Sequence, residues 1–283
     1  MKKLIILSCV FAVVFSSCSD KEDPILKLDN RYLESVYGPV PEFELLATPV
    51  KNVYLEEFTG HKCTNCPPAT EKVNIWEEEL GGRLVPISIH AGTFANPSAA
   101  PYNVDFRTSD GDIYWGQLEV GFAPGARVDR VGGTSSLYID TEWRDLIDDQ
   151  LTKTPEAALQ LVSSYVANDG FLNIHVHGQF LDASTDGFNL VVLITESHII
   201  SPQKDVDGTD ILDYEHNHML RDAVTLPQGQ PVASSPRIDD VFVSSFSYEF
   251  NPSWVPNNCY VIAYLINNTT GEIVNVVDGA ITE

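Results

Sequence analysis

One stretch, "NVYLEEFTGHKCTNCPPATEKVNIW" (52–76), constrains the fold of this chain more than any other. It begins as a run rich in branched and aromatic residues, the pattern of a short buried strand. It continues with Ala69, Val73, Trp76 and Leu80 at helical spacing, and Gly81-Gly82 stops the helix. Cys63 and Cys66 sit at the junction, where a helix start leaves backbone N–H groups free and presents the positive end of its dipole. A thiolate at Cys63 gains from that field and from Lys62 beside it. Cys66, one turn further in, suits the resolving role. Glu57, on the strand, supplies a carboxyl that can ferry protons if it is buried near the pair. Pro67-Pro68 fit a first helical turn, whose N–H groups lack partners anyway. Three uses are open to the cysteines: a redox couple, a disulfide pinning strand to helix, or two metal ligands. The redox use leads. Zinc wants four ligands, no second cysteine pair exists, and no pattern brings His61 and His90 together.

The strand–helix rhythm extends from about residue 43 to 154. "LVPISIH" and "ARVDRV" read as further strands and "DTEWRDLIDDQLTK" as a helix, so this part predicts an α/β domain with helices covering a sheet. After Pro155 the texture changes. "AALQLVSSYV", "FLNIHVHGQFL", "FNLVVLITES", "DDVFVSSFSYEF", "CYVIAYLI" and "EIVNVV" are strand-like runs. Turn signals such as Asn168-Asp169-Gly170 and Thr185-Asp186-Gly187 separate them. Residues 155–283 therefore predict an all-β, sandwich-like domain. An irregular insert at about 200–236 interrupts it. Within "NIHVHGQF", Asn173, His175, His177 and Gln179 fall on one strand face, which reads as the wet side of a half-solvated strand rather than a metal pair.

The insert holds Asp205, Asp207, Asp210, His216 and His218. Oxygen ligands around a glycine are the chemistry of a Ca2+ or other cation site, but the spacing fails the EF-hand template. Capping the domain or packing on its neighbour is the leading use of this segment, and no other cofactor is expected. Serine-nucleophile, phosphate-loop, dinucleotide and HExxH patterns do not occur.

The first residues, "MKKLIILSCVFAVVFSSC", combine a basic start, an apolar core and small residues before Cys18. That is a signal-peptide pattern over 1–17, too short for a membrane span. "VFSSC" resembles a bacterial lipobox, which implies cleavage before Cys18, acylation of its sulfur and anchorage in a membrane. Residues 18–42 then form a tether. Its "SDKED" is similar to the acidic signal that sends some lipoproteins to the cell surface, so the surface is preferred over a periplasm-facing position. Three cysteines remain beyond the anchor, and Cys259 opens an apolar strand as a buried thiol. With 40 acidic residues against 17 basic, the formal charge of −23 excludes a nucleic-acid partner.

"EFTGHKCTNCPPA" resembles the active-site stretch of thioredoxin-like proteins. The resemblance implies a buried acid at Glu57, an attacking thiol at Cys63 and a resolving thiol at Cys66. "VGFAPGARVDR" resembles the cis-proline loop of those proteins, implying that Pro124, and the backbone of Ala123, face the pair where a partner's extended chain docks. Lys62 replaces the usual aromatic, and Thr64-Asn65 the usual Gly-Pro. Together with the lipobox and "YEHNHMLRDA", these motifs are similar to the 28-kDa outer-membrane-protein family of anaerobic Gram-negative bacteria. Membership implies an outer-membrane lipoprotein with a thioredoxin-like domain followed by a β-rich one. The implied partners are protein or peptide thiols and disulfides. The alternative is a surface binding or adhesion lipoprotein whose cysteine pair is a static disulfide.

Overall fold

A computed structural model of the protein describes residues 30–282. The leader, Cys18 and the acidic run after it lie outside the described residues. The first half follows its sequence pattern closely. After the short α1 (Glu34–Tyr37), β1 (Val53–Thr59) leads through α2 (Cys66–Glu79) into β2 (Leu84–His90), and the two strands pair in parallel, as a helical crossover requires. Beyond α3 (Gly92–Ala95) and α4 (Ser109–Gly116), β3 (Gly125–Val128) pairs antiparallel with the other edge of β1, and α5 (Trp143–Leu151) closes the unit. Trp143 and Ile147 of α5 join Ala69 and Val73 of α2 over Val53, Leu55 and Leu84, the core on one face of the sheet.

All six strand-like runs after Pro155 are strands. They are β4 (Ala157–Val166), β5 (Phe171–Phe180), β6 (Phe188–Glu196), β13 (Val241–Glu249), β14 (Cys259–Asn267) and β15 (Ile273–Ala280). The insert is less irregular than its composition suggests. It contains β7 (Ile199–Ile200), β8 (Gln203–Lys204), β9 (Asp210–Ile211), β10 (Glu215–His216), β11 (Met219–Ala223) and β12 (Gln230–Ala233).

The strands do not stay within the halves that the sequence suggests. An eight-stranded sheet runs in the order β15-β14-β6-β11-β2-β1-β3, with β12 also on β6. Strands from before and after residue 154 thus share one sheet, and β11, from the insert, is the join. β11 is antiparallel to β6 and parallel to β2, and the Ser88 N–H donates to the His218 carbonyl at 2.8 Å. Tyr54, Phe58, Ile87 and Tyr114 pack in one core with Leu193, Leu220, Ile262 and Tyr264. The molecule is mostly β-sheet with few helices.

A second sheet, β13-β5-β4, lies against the later strands of the first. Leu172, Ile174 and Val176 of β5 meet Leu190, Val192 and Ile194 of β6 and Val261 of β14. The opposite face of β5 corrects the expectation of a half-solvated strand. Asn173, His175, His177 and Gln179 are all buried. Segment 30–43, all but its last residue expected to be tether, lies over this face. Tyr32 meets the His175 ring edge-on at 4.6 Å, and Phe43 stacks on His177 at 5.2 Å. Partners make the burial affordable: His175 Nδ1 lies 2.9 Å from Ser245 Oγ, and His177 Nδ1 2.9 Å from Gln160 Oε1.

Candidate functional site

β1 carries two adjacent carboxylates, and its pleat sends them to opposite faces. Glu56 shares its face with Tyr54 and Phe58, and two guanidinium groups meet it there. Arg130 Nη2 donates to Glu56 Oε1 at 2.6 Å, and Arg127 Nε to Oε2 at 2.5 Å. Burial works to raise the pKa of Glu56, but Arg127 and Arg130 outweigh it and hold the carboxyl below its usual range. Arg130 also donates to the Tyr264 hydroxyl at 3.0 Å, tying β1 to β14.

Glu57 faces α2, and among the described residues no cation pairs with it. It is 1% exposed. The Thr70 hydroxyl donates to its Oε1 at 2.7 Å, and Ser88 adds a second hydrogen bond. Desolvation prevails over both and lifts its pKa to about 7. A buried carboxyl of that kind exchanges a proton near neutrality.

Cys63 and Cys66 form a disulfide at the start of α2, with their Cα atoms 5.4 Å apart. Asn65 precedes the helix and Pro67-Pro68 occupy its first turn, as expected. Cys66 and Thr70 lie one helical turn apart on one face. Both line a small cavity with Ser88, His90, Gln203 and His216. The carboxyl of Glu57 thus contacts two residues, Thr70 and Ser88, of the cavity that Cys66 enters. Neither cysteine is open to solvent: Cys63 is 2% and Cys66 1% exposed.

The other expected residues gather at the same end of the sheet. The Ala123–Pro124 peptide is cis. Because β3 runs antiparallel to β1 with Gly125 opposite Phe58, Pro124 sits at the end of β1 from which the cysteine loop departs. Ala123 and Pro124 are half-buried, and the Lys62 N–H donates to the Phe94 carbonyl at 3.1 Å. Gly60 is required there. A Cβ at this position would lie 2.5 Å from the Phe94 carbonyl carbon.

The five cation candidates do not converge. Asp210 bonds Lys204 and the Tyr102 hydroxyl, Asp207 accepts from Thr209, and Asp205 from the Val206 N–H. His218 Nε2 lies 3.1 Å from Glu77 Oε2, while His216 turns inward beside His90, their rings 5.4 Å apart. Among the described residues, no three His, Cys, Asp or Glu side chains are grouped to hold a metal ion.

Sequence reasoning missed Arg127, Arg130 and Gln203, and weighed His90 only as a metal ligand with His61. Two arginines in "ARVDR" beside the strand that bears Glu56 were a usable signal for the first two. For Gln203 and His90, which meet the site only through the chain's path in space, no local signal existed.

Comparison with known proteins agrees with the architecture. A family model described as outer membrane protein Omp28 matches residues 112–283. The chain belongs to the Omp28 family. Omp28 is thus a family of outer membrane proteins in which this chain takes its place, as the sequence motifs implied. Among solved structures, HBP35 of Porphyromonas gingivalis is 16% identical, with 83% of this chain and 76% of that one aligned at a TM-score of 0.61. That likeness is one of fold. A domain of the outer membrane lipoprotein Omp28 from the same organism is 18% identical over 46% of this chain and 91% of that one, with a TM-score of 0.32. No curated protein matches this Omp28 member by sequence.

Proposed function

We propose that this Omp28-family protein is a lipid-anchored thiol–disulfide exchange protein, its site built on a thioredoxin-like part of the sheet. The observation that carries the reading is Glu57: a buried carboxyl with no cation beside it among the described residues and a pKa of about 7, in contact with the lining of the cavity that Cys66 enters. A static staple has no use for such a group, whereas the neighbouring Glu56, which is structural, is held charged by two guanidinium groups. In the reduced state, Cys63 thiolate attacks a sulfur of a partner disulfide and expels the other partner sulfur as thiolate. Cys66 then passes its proton towards Glu57 and attacks Cys63, which releases the partner's second sulfur. Two electrons leave the pair, and the Cys63–Cys66 bond is restored. Lys62 favours the thiolate, and Pro124 with the Ala123 backbone shapes the place where the partner's chain lies. No cofactor takes part. Acylated Cys18 holds the protein in the outer membrane, facing the cell surface.

The expected outcome with Cys66→Ala is a stable mixed disulfide between Cys63 and oxidised glutathione or a disulfide-bonded peptide, visible by mass spectrometry. Failure of Cys63 to form one, in a folded variant, would refute the exchange. One observation favours a second reading. The near-complete burial of both cysteines fits a disulfide that only braces the helix, with binding carried out by the later strands.

A further inference from the structure

The residues that bury the pair come from the far end of the sequence. The chain from β7 to β10 is a hairpin, held at its base by Ile199 opposite His216 and Ile200 opposite Glu215. Its outer rungs, Gln203 with Ile211 and Lys204 with Asp210, lie over the cysteine loop. The Gln203 amide donates to the Cys63 carbonyl at 3.0 Å and to the Gly60 carbonyl at 3.4 Å. The Lys204 N–H donates to the His61 carbonyl at 2.9 Å. Further out, the Tyr102 hydroxyl donates to Asp210 Oδ1 at 2.7 Å. Gln203 itself is buried.

We propose that residues 201–211 are a strap that closes the Cys63–Cys66 site and must lift before another protein's thiol or disulfide reaches it. This deepens the exchange reading and rests on it for its purpose. Among the described residues, the strap is held at its base and flank by the bonds named above, by the Ser201 N–H donating to the Tyr214 carbonyl at 3.0 Å and by the His216 ring against the Ser201 and Pro202 backbone. Its tip, Val206 to Thr209, is exposed. Segments held by few contacts open at a small fraction of the global stability. Beneath the strap, both ring nitrogens of His90 and Nε2 of His216 are buried without a protein partner. The Cys63 backbone carbonyl reports directly to the strap through Gln203, so a shift of the cysteine loop on reduction is felt there.

The test uses the full chain in detergent, reading two rates: reduction of the disulfide by dithiothreitol and hydrogen exchange of the Lys204 amide. Gln203→Met keeps the volume and removes the donors, and it is expected to speed both by roughly tenfold. Tyr102→Phe removes one outer bond and is expected to speed both by roughly threefold, which serves if Gln203→Met does not fold. A variant whose Lys204 amide exchanges faster while its disulfide is reduced at the wild-type rate overturns the strap. Faster reduction in Gln203→Met, with no mixed disulfide on Cys63 from oxidised glutathione once Cys66→Ala is added to it, supports the strap and overturns the exchange reading instead.

Discussion

Glu56 and Glu57 are adjacent, identical in chemistry and equally buried, yet their surroundings drive them apart. Arg127 and Arg130 keep Glu56 charged, while Glu57 has only a hydroxyl or two and is raised to about 7. A carboxyl raised above its unfolded value adds stability that is fully present below about pH 4.5 and is lost as pH rises through about 7. The window amounts to roughly 3 kcal/mol across those pH values. The difference in thermal stability between the oxidised wild type and Glu57→Gln should therefore fall from pH 5 to 8, whereas the buried histidines, whose lowered pKa values act in the opposite sense, are common to both proteins. A Glu57→Gln variant with the wild-type slope would place the titration elsewhere. At this scale the sequence was informative about position: Glu57, Cys63, Cys66 and Pro124 all lie at one end of the sheet. It was silent on which carboxylate is neutralised, because that depends on the pairing of β1 with β3.

At the scale of elements, periodicity identified β1, α2, β2 and the six later strands, since each has a clear buried face. It misread the insert. β8 to β10 are short and polar, and what makes them strands is their partners rather than their own composition, while β11 is short but buries Met219, Leu220 and Ala223. It also misread β5, whose polar face is covered by segment 30–43 instead of water. The elements are held together in part by the Glu56–Arg127–Arg130 cluster, which links β1, β3 and, through the Tyr264 hydroxyl, β14. Glu56→Ala leaves two buried guanidinium groups without their carboxylate and is expected to cost about 3–5 kcal/mol. Urea denaturation measures this directly, and a loss below about 1 kcal/mol would show the cluster to be dispensable.

At the scale of the molecule, β11 makes one sheet of strands from both halves, and one core spans the join. A single cooperative unfolding transition is expected for residues 30–282, and two transitions separated by several degrees would show that the halves melt independently. Sequence alone could not foresee the shared sheet, because strand periodicity carries no address for its neighbour. The same arrangement brings Gln203 over Cys63 across 140 residues of chain. It makes a pair of buried cysteines compatible with chemistry, provided the strap opens. Equilibrating the full chain in glutathione buffers, for long enough to let it open, gives the midpoint potential of the Cys63–Cys66 couple. An exchange protein should fall between roughly −120 and −270 mV, whereas a value below about −300 mV is that of a structural disulfide and would contradict the account.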